Sequence, residues 1–192
     1  MSAEAVVLAD AVADDLSALL ARVEARQAEA PVTGGGVTGA IALYRDWLGR
    51  HATDPLAHVA WFNLGVALAG LPDPVAAEAA YRCAIALQPG FVEAHLNLGS
   101  QLERQGRARD AITGWRAVLD AGLVDPRTRP GLQCHLLNNL GRVLENERDY
   151  EAAEAMLERS LRCQPGQVDV LQHWIHLRQR QCRWPVHEPL GE

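Results

Sequence analysis

Large apolar residues recur along this chain with the period of an amphipathic helix, in blocks that repeat every 34 residues with one insertion. Each block carries two apolar stripes, which predicts two helices joined by a short turn. The matching positions are Trp61, Leu64, Leu68, Ala77, Tyr81 and Ala84; His95, Leu98, Leu102, Ala111, Trp115 and Val118; and Leu137, Leu140, Leu144, Ala153, Leu157 and Ser160. The third block begins 42 residues after the second, so eight residues are predicted to be inserted near 120–133.

Small residues and prolines also recur at fixed places in these blocks. Each first helix has a glycine in its middle, where glycine costs about 1 kcal/mol relative to alanine. Each second helix has an alanine at the matching offset, so we expect small residues to face each other and allow close packing. Two of the second helices end at a proline, since an interior proline would remove a hydrogen bond. The positions are Gly65, Gly99 and Gly141; Ala77, Ala111 and Ala153; and Pro89 and Pro165.

This spacing is the signature of a tetratricopeptide (TPR) repeat, a helix–turn–helix unit. It predicts an all-α fold, a right-handed TPR superhelix or α-solenoid of antiparallel helix pairs. Complete repeats are predicted at 58–91, 92–125 and 134–167, which together make the region 58–167. We expect the following large residues to be buried: Trp61, Leu64, Leu68, Tyr81, Leu98, Leu102, Trp115, Leu140, Leu144 and Leu157.

The flanking segments are predicted to extend the series. Residues 4–30 are typical of one long helix with Val7, Leu16, Leu19, Leu20 and Val23 on its apolar face, and 31–39 are typical of a break. Residues 40–50 match the second helix of a repeat, so 1–57 should hold an N-terminal helix and a degenerate first repeat. Residues 168–192 are predicted to form a capping helix and a linker. The apolar face of that helix is expected to carry Val170, Leu171, Trp174 and Ile175.

The charge of the chain excludes some classes of partner. The formal net charge is −6, and all 18 basic residues are arginine. Without a basic stripe to neutralise phosphates, we expect no binding to nucleic acid. The N-terminus is acidic where a signal peptide is basic, and no apolar run approaches the length of a membrane span. We therefore expect a soluble, cytoplasmic protein with no membrane partner, and the lack of lysine beside abundant alanine is typical of a G+C-rich bacterial genome.

One glycine pattern resembles a cofactor site. Gly34, Gly36 and Gly39 satisfy the dinucleotide-binding pattern G-x-G-x-x-G, which requires a strand before it and a βαβ unit around it. The residues before it are strongly helical instead. We interpret the three glycines as a flexible loop between helices and expect no cofactor.

Two other groups of residues resemble metal ligands. His173 and His176 lie one helical turn apart, with Cys182 and His187 beyond them, but no zincin-type glutamate accompanies them. We interpret these histidines as packing or solvated residues. The four cysteines contain no CxxC pair, so we interpret them as reduced thiols. We expect no metal site and no catalytic residue.

Three asparagines are the candidate binding residues. Asn63, Asn97 and Asn139 each precede the Leu-Gly of their repeat, at the same repeat phase. Because TPR units stack, equal phase implies equal placement on the superhelix, and the three amides should form a ladder. A carboxamide both donates and accepts hydrogen bonds, so the ladder could pair with the main chain of an extended peptide. The alternative is that the asparagines only space or cap the helices.

The Asn-Leu-Gly triplets resemble the repeats of O-linked N-acetylglucosamine transferases, whose asparagine ladder grips substrate peptides. Residues 138–151 and 171–186 resemble the junction in bacterial SPINDLY-family proteins, where a His-Trp-x-His-Leu-Arg-Gln helix and a Gln-Cys-x-Trp-Pro turn lead into the catalytic region. Members of that family continue into two Rossmann-like lobes that transfer a sugar from a nucleotide to Ser or Thr. No pattern of those lobes occurs before Glu192, so none of the family's catalytic residues can be placed here. The chain is expected to be either an excised N-terminal part of a longer protein or a stand-alone remnant, and its end inside a proline-rich segment favours the former.

Two functions are compatible with this resemblance. The resemblance implies a substrate-recognition arm of a SPINDLY-like protein O-glycosyltransferase, which binds protein and performs no chemistry itself; whether the parent protein is an enzyme stays open. The alternative is a stand-alone TPR scaffold or adaptor for protein assembly. A clamp for a terminal carboxylate is disfavoured, because the chain has no lysine and the first helix of the repeat 58–91 is apolar. An exposed apolar patch could also form a homodimer, although no residue pattern requires one.

Overall fold

The computed structural model describes residues 15–29 and 35–184. Within these ranges the secondary structure consists of helices and turns, without a strand. The helices are α1 (Leu16–Glu29), α2 (Gly35–Arg50), α3 (Ala57–Ala69), α4 (Pro74–Leu87), α5 (Val92–Arg104), α6 (Ala108–Asp120), α7 (Pro130–Asn146), α8 (Tyr150–Cys163) and α9 (Val168–Arg180). The predicted all-α class of helix pairs is confirmed. The chain divides into two compact units between Gln101 and Leu102, inside the last part of α5.

The core of the first unit is a continuous apolar cluster contributed by α1 to α4. In α1 the buried residues Leu16, Leu19 and Val23 recur at the spacing of one helical face. That face packs on α2, which buries the aromatic rings of Tyr44 and Trp47. Both α2 and α4 pack on α3. The N-terminal helix pair therefore shares one core with the repeat that comes after it.

The predicted break at 31–39 is wrong over its second half. Helix α2 begins at Gly35, so Gly36 and Gly39 are helical residues and not part of a flexible loop, while Gly34 lies outside the described residues. A Cβ atom on Gly39 would lie 2.9 Å from Cγ of Arg26, so α1 crosses closely at this glycine. Packing of α2 against α1 therefore overrides the poor helix propensity of glycine. Of the predicted helix 4–30, the described part is α1, and Val7 lies outside the described residues.

Two residues that were expected to be buried are only half-buried. Trp61 and Leu98 pack against the core of the first unit but keep part of their surface exposed. The other eight residues of that prediction are buried, including Tyr81, Trp115 and Leu140. The stripe positions therefore identify the core well, although the edge of a large side chain can remain in contact with solvent.

The glycines of two first helices lie closest to a large residue of the second helix and not to the alanine that the sequence suggested, although Gly141 also approaches the backbone carbonyl oxygen of Ala153. A Cβ atom on Gly65 would lie 2.6 Å from Cε1 of Tyr81, and one on Gly141 would lie 2.6 Å from Cδ2 of Leu157. The close neighbour is thus the large residue one turn beyond the alanine. Each glycine leaves the space that this large side chain fills.

In the second unit, α7 and α8 pack as a pair and α9 packs on α8. Residues buried on α9 are Trp174 and Leu177, with Val170 half-buried one turn earlier. The prediction that Leu171 shares this face is wrong, because its side chain is 38% exposed, and Ile175 is half-buried. The spacing 170, 174, 177 forms a single stripe, whereas residues 171 and 175 lie about 100° further around the helix.

Two second helices begin at an aspartate cap in the same repeat phase. Asp73 Oδ1 accepts hydrogen bonds from the backbone N–H groups of Val75 and Ala76, at 3.0 and 3.4 Å. Asp149 Oδ1 accepts one from Ala152, at 3.2 Å. Capping side chains satisfy backbone donors at a helix start, where no carbonyl group of the same helix can reach them. These two caps therefore define the first residue of α4 and of α8.

The insertion in the second unit is a loop at 121–129, between the end of α6 and the start of α7. Helix α7 begins at Pro130, whose fixed backbone suits the first turn of a helix. The first helix of this repeat thus starts four residues before position 134. Across the described ranges, no helix combines the length and the apolar character needed to cross a membrane.

Candidate functional site

The three predicted binding residues lie on the first helices of their repeats. Asn63 is on α3 and Asn97 is on α5, both in the first unit, whereas Asn139 is on α7 in the second unit. All three side chains are half-buried. Within the described part of the chain, none of the three carboxamides is engaged in a side-chain hydrogen bond. Each amide therefore keeps its donors and its acceptor available to a partner.

Helix α3 provides an apolar surface beside Asn63. Apolar residues surround this helix almost completely, yet only the side that carries Leu64 and Leu68 is buried. The opposite side carries Val59, Phe62 and Val66, and Val66 is 48% exposed. An all-round apolar helix is normally enclosed on every side, and exposed apolar surface of this kind is typical of an interaction site. We call Val59, Phe62, Asn63 and Val66 the α3 surface.

Aromatic stacking fixes the base of the α3 surface. The ring centroid of Phe62 lies 4.9 Å from that of Phe91 and 5.9 Å from that of Tyr81, in tilted arrangements. The ring of His58 meets Phe91 edge-on at 5.4 Å. Tilted and edge-on pairs are the preferred geometries of aromatic rings. Phe62 is therefore held in place before any partner arrives.

The surroundings of Asn97 are more polar. His95 contacts the carbonyl oxygen of Pro89 through Nε2 at 2.9 Å, which ties α5 to the preceding turn. The hydroxyl of Ser100 donates to the carbonyl of Leu96 within the helix, at 3.1 Å. These bonds occupy the polar side chains on both sides of Asn97 along the helix, and they leave its own amide unoccupied.

Asn139 comes directly after a second asparagine whose role is structural. Asn138 Nδ2 donates to Gln167 Oε1 at 2.9 Å, which joins α7 to the turn between α8 and α9. Gln167 Nε2 lies 3.0 Å from the backbone carbonyl and from the hydroxyl of Ser160, and 3.0 Å from the carbonyl of Gln164. Asn138 Oδ1 is buried without a hydrogen bond to any described residue. The two adjacent asparagines therefore differ. Asn138 links helices within the protein, whereas the amide of Asn139 has no hydrogen bond to a described residue.

Charged side chains near Asn139 form ion pairs within the second unit. Arg142, one turn after Asn139, donates to both carboxylate oxygens of Glu103, at 2.5 and 2.6 Å. The hydrogen bond to Glu103 raises the pKa of Arg142 further above its ordinary value, so the arginine stays charged. A two-point pair of this kind fixes orientation as well as charge. The pairing leaves little free positive charge beside Asn139 to attract an acidic partner.

The histidines of α9 have different environments. His173 Nε2 lies 2.5 Å from Glu145 Oε2, and Glu145 is also 3.6 Å from Arg180 Nη1. His176, one helical turn later, is exposed. His187 lies outside the described residues. The described ranges contain no group of three His, Cys, Asp or Glu side chains that could hold a metal ion. His173 therefore has a structural role, joining α9 to α7.

A buried carboxylate at the end of α9 was not anticipated from the sequence. Glu154 on α8 accepts from Arg178, Gln181 and Arg183, at 3.4, 2.9 and 3.1 Å. The side chain of Glu154 is only 5% exposed and that of Arg178 is 12% exposed. Burying one charge without the other is costly, so both are expected to be needed. The available signal in the sequence was the spacing of Arg178, Gln181 and Arg183.

Comparison with known proteins places the chain in a family. The sequence profile of the tetratricopeptide repeat matches residues 25–90, 73–122 and 96–168. The chain belongs to the tetratricopeptide repeat family. No curated protein sequence matches it. The first of these matches begins within α1 and includes α2.

Several solved TPR structures resemble this TPR chain in fold. MamA from Desulfovibrio magneticus shares 21% identity, with 78% of each chain covered and a TM-score of 0.61. PilF from Pseudomonas aeruginosa shares 21% identity, covering 88% of this chain and 72% of PilF, with a TM-score of 0.67. A tetratricopeptide repeat protein from Parabacteroides merdae shares 14% identity, covering 91% of this chain and 63% of that one, with a TM-score of 0.72. At this identity the likeness concerns the fold alone.

Two depressions on the described surface differ from a small-molecule site. One, of about 500 Å³, lies between α1 and α2, next to Arg22, Arg26 and Asp46. Another, of about 350 Å³, lies in the second unit beside Arg109 and Arg116. Both are open to solvent and their linings combine polar and apolar surface, whereas small-molecule sites are enclosed and mostly apolar. Neither is lined by one of the three asparagines.

Proposed function

We propose that this TPR chain is a protein-binding module that binds the main chain of extended peptide segments, through Asn63 and Asn97 in the first unit and through Asn139 in the second. The observation that supports the proposal is the unoccupied amide of Asn63 beside the exposed α3 surface. The carboxamide would bond the N–H and C=O groups of the peptide main chain. Phe62 and Val66 would receive an apolar side chain of the peptide next to that bond.

This arrangement implies modest selectivity for sequence. Amide–main-chain bonds are independent of the side chains of the peptide, and each contributes about 0.5–1.5 kcal/mol. Selectivity would come from the α3 surface, where burial of apolar area contributes about 25 cal/mol per Å². We therefore expect preference for extended, uncharged segments that carry a large apolar residue.

The finer proposal is that the module is the substrate-recognition arm of a SPINDLY-like protein O-glycosyltransferase. The support is the resemblance of residues 138–151 and 171–186 to the junction of that family. Under this proposal the peptide would be presented to a catalytic region located after α9. The nucleotide sugar and the chemistry would belong to that region.

A stand-alone scaffold for protein assembly is the second candidate. It is supported by the solved TPR proteins of similar fold, MamA and PilF, which match most of the chain. Both candidates use the same binding surface. They differ in the protein sequence expected beyond residue 192, so reading the gene past that point separates them: about 400 further residues with α/β pattern are expected for a transferase.

An array of unstructured peptides tests binding itself. Peptides with a central Phe or Leu in a neutral background should bind more tightly than the same peptides with Asp or Lys at that position. N-methylation of the peptide main chain should weaken binding, because it removes the donors that the asparagines would engage. If N-methylation leaves the affinity of the peptide unchanged, the proposed role of the asparagine amides is wrong.

A further inference from the structure

Two cysteine thiols of the second unit lie side by side across the α7–α8 pair. Cys134, near the start of α7, donates its S–H to the carbonyl of Ser160 on α8, at 3.6 Å. Cys163, at the end of α8, donates to the carbonyl of Pro130 on α7, at 3.8 Å. Each thiol thus contacts the backbone of the other's helix, within about one turn of the other cysteine. This reciprocal crossing brings together two residues that are far apart in sequence.

The surroundings of the two thiols differ. Cys134 is buried, and its sulfur also accepts from Gln167 Nε2 at 3.6 Å. Cys163 is half-buried and so is the more accessible of the two. Burial, together with the neighbouring thiol of Cys134, raises the pKa of Cys163. The Cys163 thiol is therefore protonated at neutral pH and reacts slowly, which distinguishes this pair from an activated cysteine.

We infer that Cys134 and Cys163 form a site of reversible disulfide formation that fastens the start of α7 to the end of α8. The crossing of the thiols supplies the proximity that a disulfide requires. The bond would close a loop that contains most of the helix pair and is adjacent to the Asn138–Gln167 junction. It would therefore stabilise the helix pair that presents Asn139.

The oxidant belongs to the class of small-molecule disulfides, of which glutathione disulfide is the probe. The Cys163 thiolate attacks one sulfur of glutathione disulfide, whose S–S bond breaks and releases one glutathione thiolate. The Cys134 thiolate then attacks the Cys163 sulfur of the mixed disulfide and releases the second glutathione. The two protons of the protein thiols end on the two released glutathiones, and the two electrons end there as well.

The test uses the double variant C83S/C182S, in which Cys134 and Cys163 are the remaining cysteines. Its redox equilibrium is measured in glutathione buffers by alkylation and mass spectrometry, approached from both the reduced and the oxidised side. The same titration is done in guanidinium chloride, where the crossing of the thiols is lost. A triple variant that adds Cys134→Ser serves as the control, since serine keeps the hydrogen bond to Ser160 but cannot form the disulfide.

The folded double variant should be half oxidised at a certain ratio of oxidised to reduced glutathione. That ratio should be at least about tenfold lower than the ratio that half-oxidises the unfolded protein. By linkage, a tenfold preference should raise the melting temperature of the oxidised form by at least about 3–6 °C over that of the reduced form. The triple variant should show neither the loss of two hydrogen atoms in the mass spectrum nor the rise in melting temperature. If the folded protein needs the same or a more oxidising buffer than the unfolded protein, the two thiols are packed residues and the inference is wrong.

Discussion

Gly65 and Tyr81 are matched so closely that the glycine has no room for a side chain. A Cβ atom on Gly65 would lie 2.6 and 2.7 Å from Cε1 and Cδ1 of the tyrosine ring. Tyr81 is buried and packs against Phe62 through its ring, so it cannot move aside freely. The glycine of the first helix and the large residue of the second helix therefore act as a unit. This unit also supports the aromatic base of the α3 surface.

We predict that Gly65→Ala destabilises the protein by about 1–3 kcal/mol, since added volume must displace a buried ring. Gly114 is the matched control, because it is an exposed glycine inside α6 and a Cβ atom added there would have no neighbour within 4 Å. Gly114→Ala should stabilise by up to about 1 kcal/mol, through helix propensity alone. Urea denaturation of both variants checks the pair. Equal effects of the same sign would show that Tyr81 does not constrain Gly65.

Arg148 occupies a left-handed backbone position where the preceding repeat has a glycine. The φ angle of Arg148 is 65° and that of Gly106, at the same repeat phase, is 75°. A non-glycine residue with left-handed backbone angles costs the folded state about 1 kcal/mol or more. We predict that Arg148→Gly stabilises the protein by about 0.5–1 kcal/mol and that Gly106→Ala destabilises it by a similar amount. Thermal melts of the two variants should shift in opposite directions; a loss of stability in Arg148→Gly would contradict the prediction.

The buried carboxylate of Glu154 should contribute to the attachment of α9. Glu154→Ala leaves Arg178 buried without this partner, so we predict a loss of about 2–4 kcal/mol. Glu158 offers a control on the same helix, as it pairs with Arg162 at a more exposed position. Glu158→Ala should cost less than about 1 kcal/mol. Chemical denaturation gives both values, and equal losses would mean that the buried carboxylate of Glu154 is not needed to attach α9.

The repeats are well predicted from the sequence because their signal is periodic. Leu64 and Leu68 lie four residues apart and so share one side of their helix. The spacing of apolar residues along the sequence therefore identifies the side of a helix that is buried. The start of α2 could not be predicted, since Gly36 and Gly39 are poor helix formers and only the crossing of α1 at Arg26 explains their helical state. Contacts between side chains that are distant in sequence could not be predicted either. The contact of Tyr81 with Gly65 is one example.

The candidate site was predictable only in part. Equal repeat phase identified Asn63, Asn97 and Asn139 as candidates, and each carries a half-buried amide. Their contact with a peptide remains a prediction. The structural role of Asn138 was missed because its partner Gln167 lies 29 residues away, across a junction that periodicity does not describe.

The most direct test of peptide binding by the asparagines is affinity and stability measured on one variant, N63A/N97A/N139A. Binding of the peptide selected by the array should weaken by about 1.5–4.5 kcal/mol, if three bonds of about 0.5–1.5 kcal/mol add. The melting temperature should change little, because the three amides make no hydrogen bond within the described part of the chain. Asn146→Ala, at the exposed end of α7, is the control and should change neither quantity. Unchanged affinity in the triple variant, or its unfolding, would contradict the proposal that the asparagines bind the partner.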